Sequence, residues 1–162
     1  MSSLFIGGDP GVRGALVAID GSGAYVGSLP LAKGVDDAIF GAPIIEWFDS
    51  MLHIPGEAVF ALEKAQSGPR QKPSAMLNYG EGYGILKGVA MSYGLNPILV
   101  RPTIWKKAVL RDLPHDKGGA ICYCKEHLPG LNLRLERCRT DHDGLADAGC
   151  IATYAWKYLN NW

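Results

Sequence analysis

The sequence lacks any apolar run of the roughly 18 residues that a membrane-spanning helix needs, so we expect no membrane partner. Its first ten residues, MSSLFIGGDP, lack the basic and apolar segments of a secretory signal, which favours a cytoplasmic protein. It also lacks a P-loop, internal repeats and low-complexity stretches, and no nucleotide cofactor is expected. The hydrophobic fraction of 48% and the charged fraction of 20% are close to globular averages, which predicts a single domain spanning residues 1–162.

Cysteine is scarce, and its spacing does not suit structural zinc. Cys122, Cys124, His127 and Cys138 lie near one another, but a C-x-C pair with one further cysteine does not match the usual zinc patterns. We expect reduced, mostly buried thiols at these positions and at Cys150.

The formal net charge is zero, but the acidic and basic residues are segregated along the chain. Residues 64–139 hold 13 Lys and Arg against 5 Asp and Glu, whereas the two flanking parts hold 3 basic and 11 acidic residues. This distribution suits a protein that binds phosphates with one surface and metal cations with another. A solvated basic face is the alternative interpretation.

Hydrophobic runs and turn residues predict three strands, a helix, a strand, a helix, a strand and then three helices. The first three runs, joined by glycine-rich turns, are typical of an antiparallel meander. Pro43 falls within the first predicted helix, which it can kink or split. The predicted strands span 3–9, 14–20, 24–31, 57–65 and 96–102, and the predicted helices span 35–53, 74–94, 102–113, 117–127 and 143–158.

The helix predicted at 74–94 is unusually rich in glycine, with five between Gly80 and Gly94. Each interior glycine costs up to about 1 kcal/mol relative to alanine. This cost suggests the close approach of another backbone, either a partner subunit or DNA, and flexible packing is the alternative.

Asp9 and Glu63 each follow an apolar run that predicts a strand. Asp9 stands where a strand gives way to a glycine-rich turn, a position both exposed and oriented, although a plain Asp-Pro-Gly turn remains an alternative. Desolvating Glu63 at the end of a core strand is costly without a cation. Lys64 points to the opposite face of that strand, so a metal ion is the more natural partner.

Asp143 and Asp147 are four residues apart and therefore share one face at the start of the last helix. Together with Asp9 and Glu63 they form a set of hard oxygen donors that suits Mg²⁺ or Mn²⁺. Two such ions can activate a water and stabilise the leaving oxygen of a phosphodiester.

The sequence resembles the RuvC-like Holliday junction resolvases of the RNase H-like superfamily, and most closely their phage-type branch. The resemblance covers nearly the whole chain. It is carried by FIGGDPGVRGALV, by ALEKAQSG followed by SAMLNYGEGYGILKG, by VRPTIWKKAVL and by HDGLADAGCIA, in this order.

The resemblance implies an α/β fold with a mixed five-stranded sheet, three antiparallel strands followed by two parallel ones, flanked by helices on both faces. It assigns the catalytic and metal-binding acids to Asp9, Glu63, Asp143 and Asp147, and implies two Mg²⁺ ions per site, with Mn²⁺ as a substitute. Bacterial members space the last two acids three apart, which falls on Gly144 here. The four-residue spacing of phage, poxviral and fungal mitochondrial members favours Asp143.

The resemblance also implies a homodimer that resolves Holliday junctions by paired nicking, with other branched DNA as further candidate substrates. The nicks would leave 5′-phosphate and 3′-hydroxyl ends. The helix at 74–94 matches the one that builds the family's dimer interface. A phage-encoded protein would act in the cytoplasm of its bacterial host. The residues expected to contact DNA are Arg13, Arg70, Lys72, Arg101, Lys106, Lys107 and Lys117.

Further residues have supporting roles in this interpretation. His142 is a candidate for proton transfer or for support of a metal ligand, and Asp141 is a helix cap or a solvated neighbour. Trp105 is expected to pack its helix against the sheet, with a DNA contact as the alternative. Some relatives insert an aromatic side chain at the junction centre, but KAQSGPRQK, at 64–72, contains none.

Two other functions compete with this one. The first is an RNA-processing nuclease of related fold, a family that also begins with a strand and an acidic turn. That family lacks the WKK helix and the D-x-x-x-D ending that this sequence contains. A non-catalytic protein that binds branched DNA is the other alternative, and the presence of all four acids argues against it.

Overall fold

The structure is a computed structural model that describes residues 3–33, 41–53, 57–66 and 72–159. Its strands are β1 (Leu4–Asp9), β2 (Ala15–Asp20), β3 (Tyr25–Pro30), β4 (Ala58–Glu63) and β5 (Ile98–Val100). Its helices are α1 (Gly41–Leu52), α2 (Pro73–Ser92), α3 (Pro102–Leu110), α4 (Lys117–His127) and α5 (Asp143–Tyr158).

The five strands form one mixed sheet in the order β3-β2-β1-β4-β5. Strands β1, β2 and β3 pair antiparallel, as their short turns require, whereas β1–β4 and β4–β5 are parallel pairs joined through helices. The predicted α/β fold with a mixed five-stranded sheet is confirmed. Because β1 and β4 run parallel, both end at the same edge of the sheet.

Alternating side chains along β1 and β4 divide the core into two layers. Ile6 and Phe60 point towards the face covered by α1 and α2. Phe5 and Ala61 point towards the opposite face, which is covered by α3, α4 and α5. The helices therefore flank both faces of the sheet, as predicted.

Glycine and alanine allow α5 to approach β1 closely. A Cβ atom at Gly7 would lie 2.1 Å from the carbonyl oxygen of Ala148 and 2.3 Å from the amide nitrogen of Ala152. Ala148 and Ala152 are themselves fully buried. Small residues on both elements thus hold the middle of α5 against β1, and the first turn of α5 packs on the turn after β1, where a Cβ at Gly144 would lie 2.1 Å from the Arg13 carbonyl oxygen.

Several predicted boundaries differ from the observed ones. The strand predicted at 96–102 covers only three residues, because Pro102 already begins α3. The described helix α1 runs without a break from Gly41 to Leu52, so Pro43 does not split it there. Predicted residues 35–40 lie outside the described part.

The four cysteines are free, but only two are buried. Cys124 and Cys150 face each other between α4 and α5, whereas Cys122 and Cys138 are exposed, so the expectation of mostly buried thiols is wrong for that second pair. No helix in the described ranges is both long and apolar enough to cross a bilayer.

Candidate active site

The ends of β1 and β4 bring Asp9 and Glu63 together. The parallel register pairs Gly8 with Leu62, so the next residue on each strand is an acid. Both acids follow the alternation that directs Phe5 and Ala61 to the α5 side. The two carboxylates therefore emerge next to each other beneath the start of α5.

The turn after β1 holds Asp9 in place. The amide of Gly11 donates to Asp9 Oδ1 at 3.0 Å, and the amide of Gly14 donates to the Gly11 carbonyl at 2.7 Å. A Cβ atom at Gly14 would lie 2.0 Å from the Asp9 carbonyl oxygen, so the turn requires glycine there. The glycine-rich turn thus orients the carboxylate.

His142 caps α5 and sets the position of the other two acids. Its Nδ1 accepts a hydrogen bond from the Leu145 amide at 3.0 Å, a role that requires an unprotonated Nδ1, and burial lowers its pKa. Asp143 is the first residue of α5, and Asp147 follows one turn later on the same face.

Position 144 does not face the site. A Cβ atom at Gly144 would lie 2.1 Å from the carbonyl oxygen of Arg13, because this part of α5 packs directly on the turn after β1. An acid at a three-residue spacing from Asp147 would therefore collide with the backbone. This geometry supports the choice of Asp143 as the first acid of the helix.

The four carboxylates interact with one another electrostatically. Burial, reinforced by the charge of Asp9, raises the pKa of Asp147 to about 7. Burial also raises the pKa of Asp9 to about 6, against the opposing hydrogen bond from Gly11 and with a contribution from Glu63. The pKa of Glu63 is raised by burial too. These shifts mark a cluster of poorly compensated negative charge.

Lys117 forms an ion pair with Asp143. Asp116 caps α4 by accepting from the Gly119 amide at 3.0 Å, which places Lys117 at the first position of that helix. Burial alone would raise the pKa of Asp143, but the hydrogen bond and charge of Lys117 lower it overall. Asp143 is thus compensated by a cation of the chain itself.

Two more predicted DNA-binding residues lie around the acids, and others lie further out. The charge of Lys106 acts on Glu63 and Asp147, and that of Arg13 acts on Asp143. Within the described part of the chain, the remaining candidates form no ion pair with the four acids. These are Lys72, Arg101 and Lys107, all exposed, and Arg70 lies outside the described residues.

Asp141 has a different role from the one predicted. It neither caps α5 nor stands free in solvent, because Lys125 Nζ lies 2.6 Å and Arg134 Nε 2.8 Å from its two carboxylate oxygens. These bonds lower its pKa. Asp141 therefore ties the loop before α5 to α4, and it orients the site only through that loop.

Two aromatic residues lie near the acids, although neither of them was assigned to the site from the sequence. Trp105 is fully buried, which confirms its packing role, but its indole Nε1 also donates to Glu63 Oε2 at 2.8 Å. The pKa of Tyr79 is raised by burial and by the charges of Glu63 and Asp9, which places its hydroxyl near the site. The position of Trp105 shortly after β5 was the only sequence feature that could have indicated its place near the acids. No sequence feature indicated Tyr79.

The chemistry of this donor set fits a divalent cation, although the side chains are not yet arranged around one. Asp147 Oδ1 is buried and accepts no hydrogen bond from the described residues, which leaves a strong acceptor for a cation. As placed, however, no three Asp, Glu, His or Cys side chains within 3–33, 41–53, 57–66 and 72–159 are grouped to hold one ion. Ion binding would require side-chain movement, first of Asp143 away from Lys117.

The solved structures that share this fold include two of RuvC. Thermus thermophilus RuvC in complex with a Holliday junction substrate aligns with a TM-score of 0.62 and 18% sequence identity, over 96% of this chain and 94% of that chain. The chain has the RuvC fold. A second Thermus thermophilus RuvC structure aligns with the same TM-score and coverage at 21% identity. No protein-family model and no curated protein matches the sequence, so the likeness to RuvC shows the fold alone.

Proposed function

We propose that this protein is a metal-dependent, structure-selective DNA endonuclease that resolves four-way junctions by paired nicking. The observation that carries the proposal is the convergence of Asp9, Glu63, Asp143 and Asp147 at one edge of a RuvC-fold sheet. One of their oxygens, Asp147 Oδ1, is buried and has no hydrogen-bond partner in the described part of the chain. The junction-bound state of the structurally similar RuvC supports branched DNA as the substrate class.

The four acids would hold two Mg²⁺ or Mn²⁺ ions, which supply a nucleophilic water and stabilise the leaving oxygen of the scissile phosphodiester, leaving 5′-phosphate and 3′-hydroxyl ends. Asp9 and Asp147 must first lose their protons, which their pKa values of about 6 and 7 allow at slightly alkaline pH. Lys117 must release Asp143, and its ammonium is then free to bind a DNA phosphate.

The exposed cations suit contacts to the DNA backbone. Arg13 and Lys117 lie beside the acids, whereas the exposed Arg101 and Lys107 lie at the N-cap of α3 and within α3. Phosphate contacts position a duplex without reading its sequence. Recognition would therefore depend on junction shape more than on base identity.

Paired nicking requires two active sites, and we propose α2 as the interface of a homodimer. The inner face of α2 buries Gly82, Leu86 and Ala90. Its outer face combines the exposed side chains of Leu77 and Met91, 71% and 57% accessible, with a line of glycines between them. A Cβ at Gly80, Gly84 or Gly88 would meet nothing within 4 Å among the described residues, so that part of the protomer does not require these glycines.

The function is tested by comparing the cleavage of a mobile four-way junction, a fork, a flap and a linear duplex in Mg²⁺ and in Mn²⁺. We expect symmetric nicks in the junction that DNA ligase can reseal, and no cleavage in EDTA. Asp9→Asn should abolish nicking while junction binding persists. Asp112→Asn, which removes an acid from an exposed position, is the matched control and should cleave normally.

Other outcomes would contradict the proposal in distinguishable ways. Equal cleavage of all four substrates would remove junction selectivity. Junction binding without nicking in either metal would favour the non-catalytic alternative, and cleavage of structured RNA in preference to DNA would favour the RNA-processing alternative.

A further inference from the structure

Trp105 makes a contact that packing alone does not explain. It is the largest fully buried side chain among the described residues, and its indole N–H donates to Glu63 Oε2 at 2.8 Å. A buried indole N–H usually finds an acceptor. Here the acceptor is one of the four acids of the candidate site and not a backbone carbonyl.

The chain brings Trp105 to Glu63 by a short route. Glu63 and Val100 are register partners at the ends of β4 and β5, and α3 begins two residues after Val100. The Trp105 amide donates to the Arg101 carbonyl at 3.3 Å, so Trp105 sits in the first turn of α3. Its ring therefore reaches back over the end of β4.

The surroundings of the ring leave it little freedom. Trp105 belongs to the core layer that includes Ala61, Val100 and Val109, which lie on β4, β5 and α3. A close-packed ring on three elements is held in one rotamer. The N–H is thus a fixed donor, and it restrains one oxygen of Glu63.

The second oxygen of Glu63 is left available. No described residue donates a hydrogen bond to Oε1, whereas Oε2 is used by the indole. A hydrogen bond to an ionised carboxylate is stronger than one between neutral groups and holds the rotamer accordingly. Glu63 is therefore presented with one oxygen restrained and one free.

The same ring also positions a cation. Lys106 Nζ lies 5.3 Å from the centroid of the Trp105 ring, within the range of a cation–π contact. Trp105 thus contacts an acid of the site with its edge and a flanking lysine with its face.

We infer that Trp105 is a positioning residue that pre-orients Glu63 as a metal ligand and seats Lys106 beside it. The inference rests on the proposed function, because it assigns Glu63 to a metal site. Trp105 acts through Glu63 and Lys106 and touches neither substrate nor metal. Loss of its N–H should weaken cation binding and leave DNA binding unchanged.

The test uses Trp105→Phe in the full-length protein, which keeps an aromatic ring but removes the N–H. Trp47→Phe is the matched control, since Trp47 is also buried, packs on the opposite face of the sheet, and donates no hydrogen bond to the described residues. Both variants should show a similar loss of thermal stability. Mn²⁺ binding is measured directly without DNA, and the Mg²⁺ midpoint of junction nicking is measured separately.

We expect Trp105→Phe to weaken Mn²⁺ binding and to raise the Mg²⁺ midpoint by roughly tenfold, the effect of losing a hydrogen bond to a charged group. Trp47→Phe should change neither value, and junction affinity in Ca²⁺ should be unchanged in both variants. An unaltered metal affinity in Trp105→Phe, or equal changes in the two variants, would overturn the inference while leaving the proposed nuclease intact. A wild-type protein that binds Mn²⁺ through Glu63 but cuts no DNA would overturn the nuclease alone.

Discussion

Among the four acids, Asp147 is the one whose negative charge the surrounding described residues compensate least. Its Oδ1 is buried and accepts no hydrogen bond from the described residues, and burial together with Asp9 raises its pKa to about 7. A buried, unpartnered carboxylate destabilises the folded state once it ionises. The protein therefore carries a local cost in stability that a bound cation would offset.

Asp147→Asn should stabilise the metal-free protein at pH 7.5. The folded-state pKa of about 7 exceeds the ordinary value of 3.8, so between about pH 4 and 7 the folded state binds more protons than the unfolded state. Wild-type stability must fall as pH rises through that window, and the variant lacks this loss. We expect a gain of about 1 to 3 kcal/mol at pH 7.5 and less at pH 5, measured by urea unfolding in EDTA.

Asp112→Asn is the control for this measurement, because it removes one negative charge from an exposed position. It should leave the pH dependence unchanged. An Asp147→Asn protein that is less stable than wild type at pH 7.5 would show that the carboxylate is compensated in the folded state.

Helix α2 has a glycine-rich sequence that its surroundings in an isolated protomer do not explain. Gly80, Gly84 and Gly88 weaken the helix, yet no neighbour in the described structure needs their lack of a side chain. A second α2 packing against this face would explain both the glycines and the exposed Leu77 and Met91.

Gly84→Arg should convert a dimer into monomers without unfolding the protomer. The site is open, so the side chain fits in the protomer, and helix propensity improves by up to about 1 kcal/mol. The added charge and bulk would block close packing of two helices. Light scattering after size exclusion measures the mass, and paired nicking should change to single nicks or be lost.

Cys122→Arg provides the matched control, since it adds the same charge at an exposed position of α4 and should stay dimeric. A Gly84→Arg protein that remains dimeric would place the interface elsewhere.

At the scale of the whole molecule, the four acids of the candidate site share one edge of the sheet with several basic residues. The chain has no net charge, yet Arg13, Lys106 and Lys117 surround the four carboxylates. α3 adds the exposed Lys107. A duplex that approaches this edge would meet positive charge before it reaches the acids.

Lys107→Ala should reduce the salt dependence of junction binding by about one unit in the slope of log K against log salt, because one phosphate contact is lost. The affinity should fall about equally for junctions of different sequence. Lys157→Ala removes the same charge at the far end of α5, roughly 20 Å from Asp143, and should leave the slope unchanged. Titrations in increasing KCl measure both slopes, and equal slopes for wild type and Lys107→Ala would argue against this surface.

Sequence patterns alone predicted the element order, the pairing type of the first three strands and the approximate place of the acids. These follow from local rules, because apolar alternation defines strands and a four-residue spacing puts Asp143 and Asp147 on one helical face. The likeness to RuvC-type proteins predicted the sheet, which the structure confirms. Boundaries such as the short β5 were less predictable, since they depend on where Pro102 allows a helix to begin.

The compensation of the acids' charges became apparent only from the folded structure. Residues distant in sequence set each environment: Lys117 pairs with Asp143, Trp105 donates to Glu63, and no described residue donates to Asp147 Oδ1. It also showed that Gly144 packs against the turn after β1 and that Lys125 and Arg134 hold Asp141. Burial and long-range contacts arise only when β1, β4, α3, α4 and α5 meet, so no local pattern could predict them.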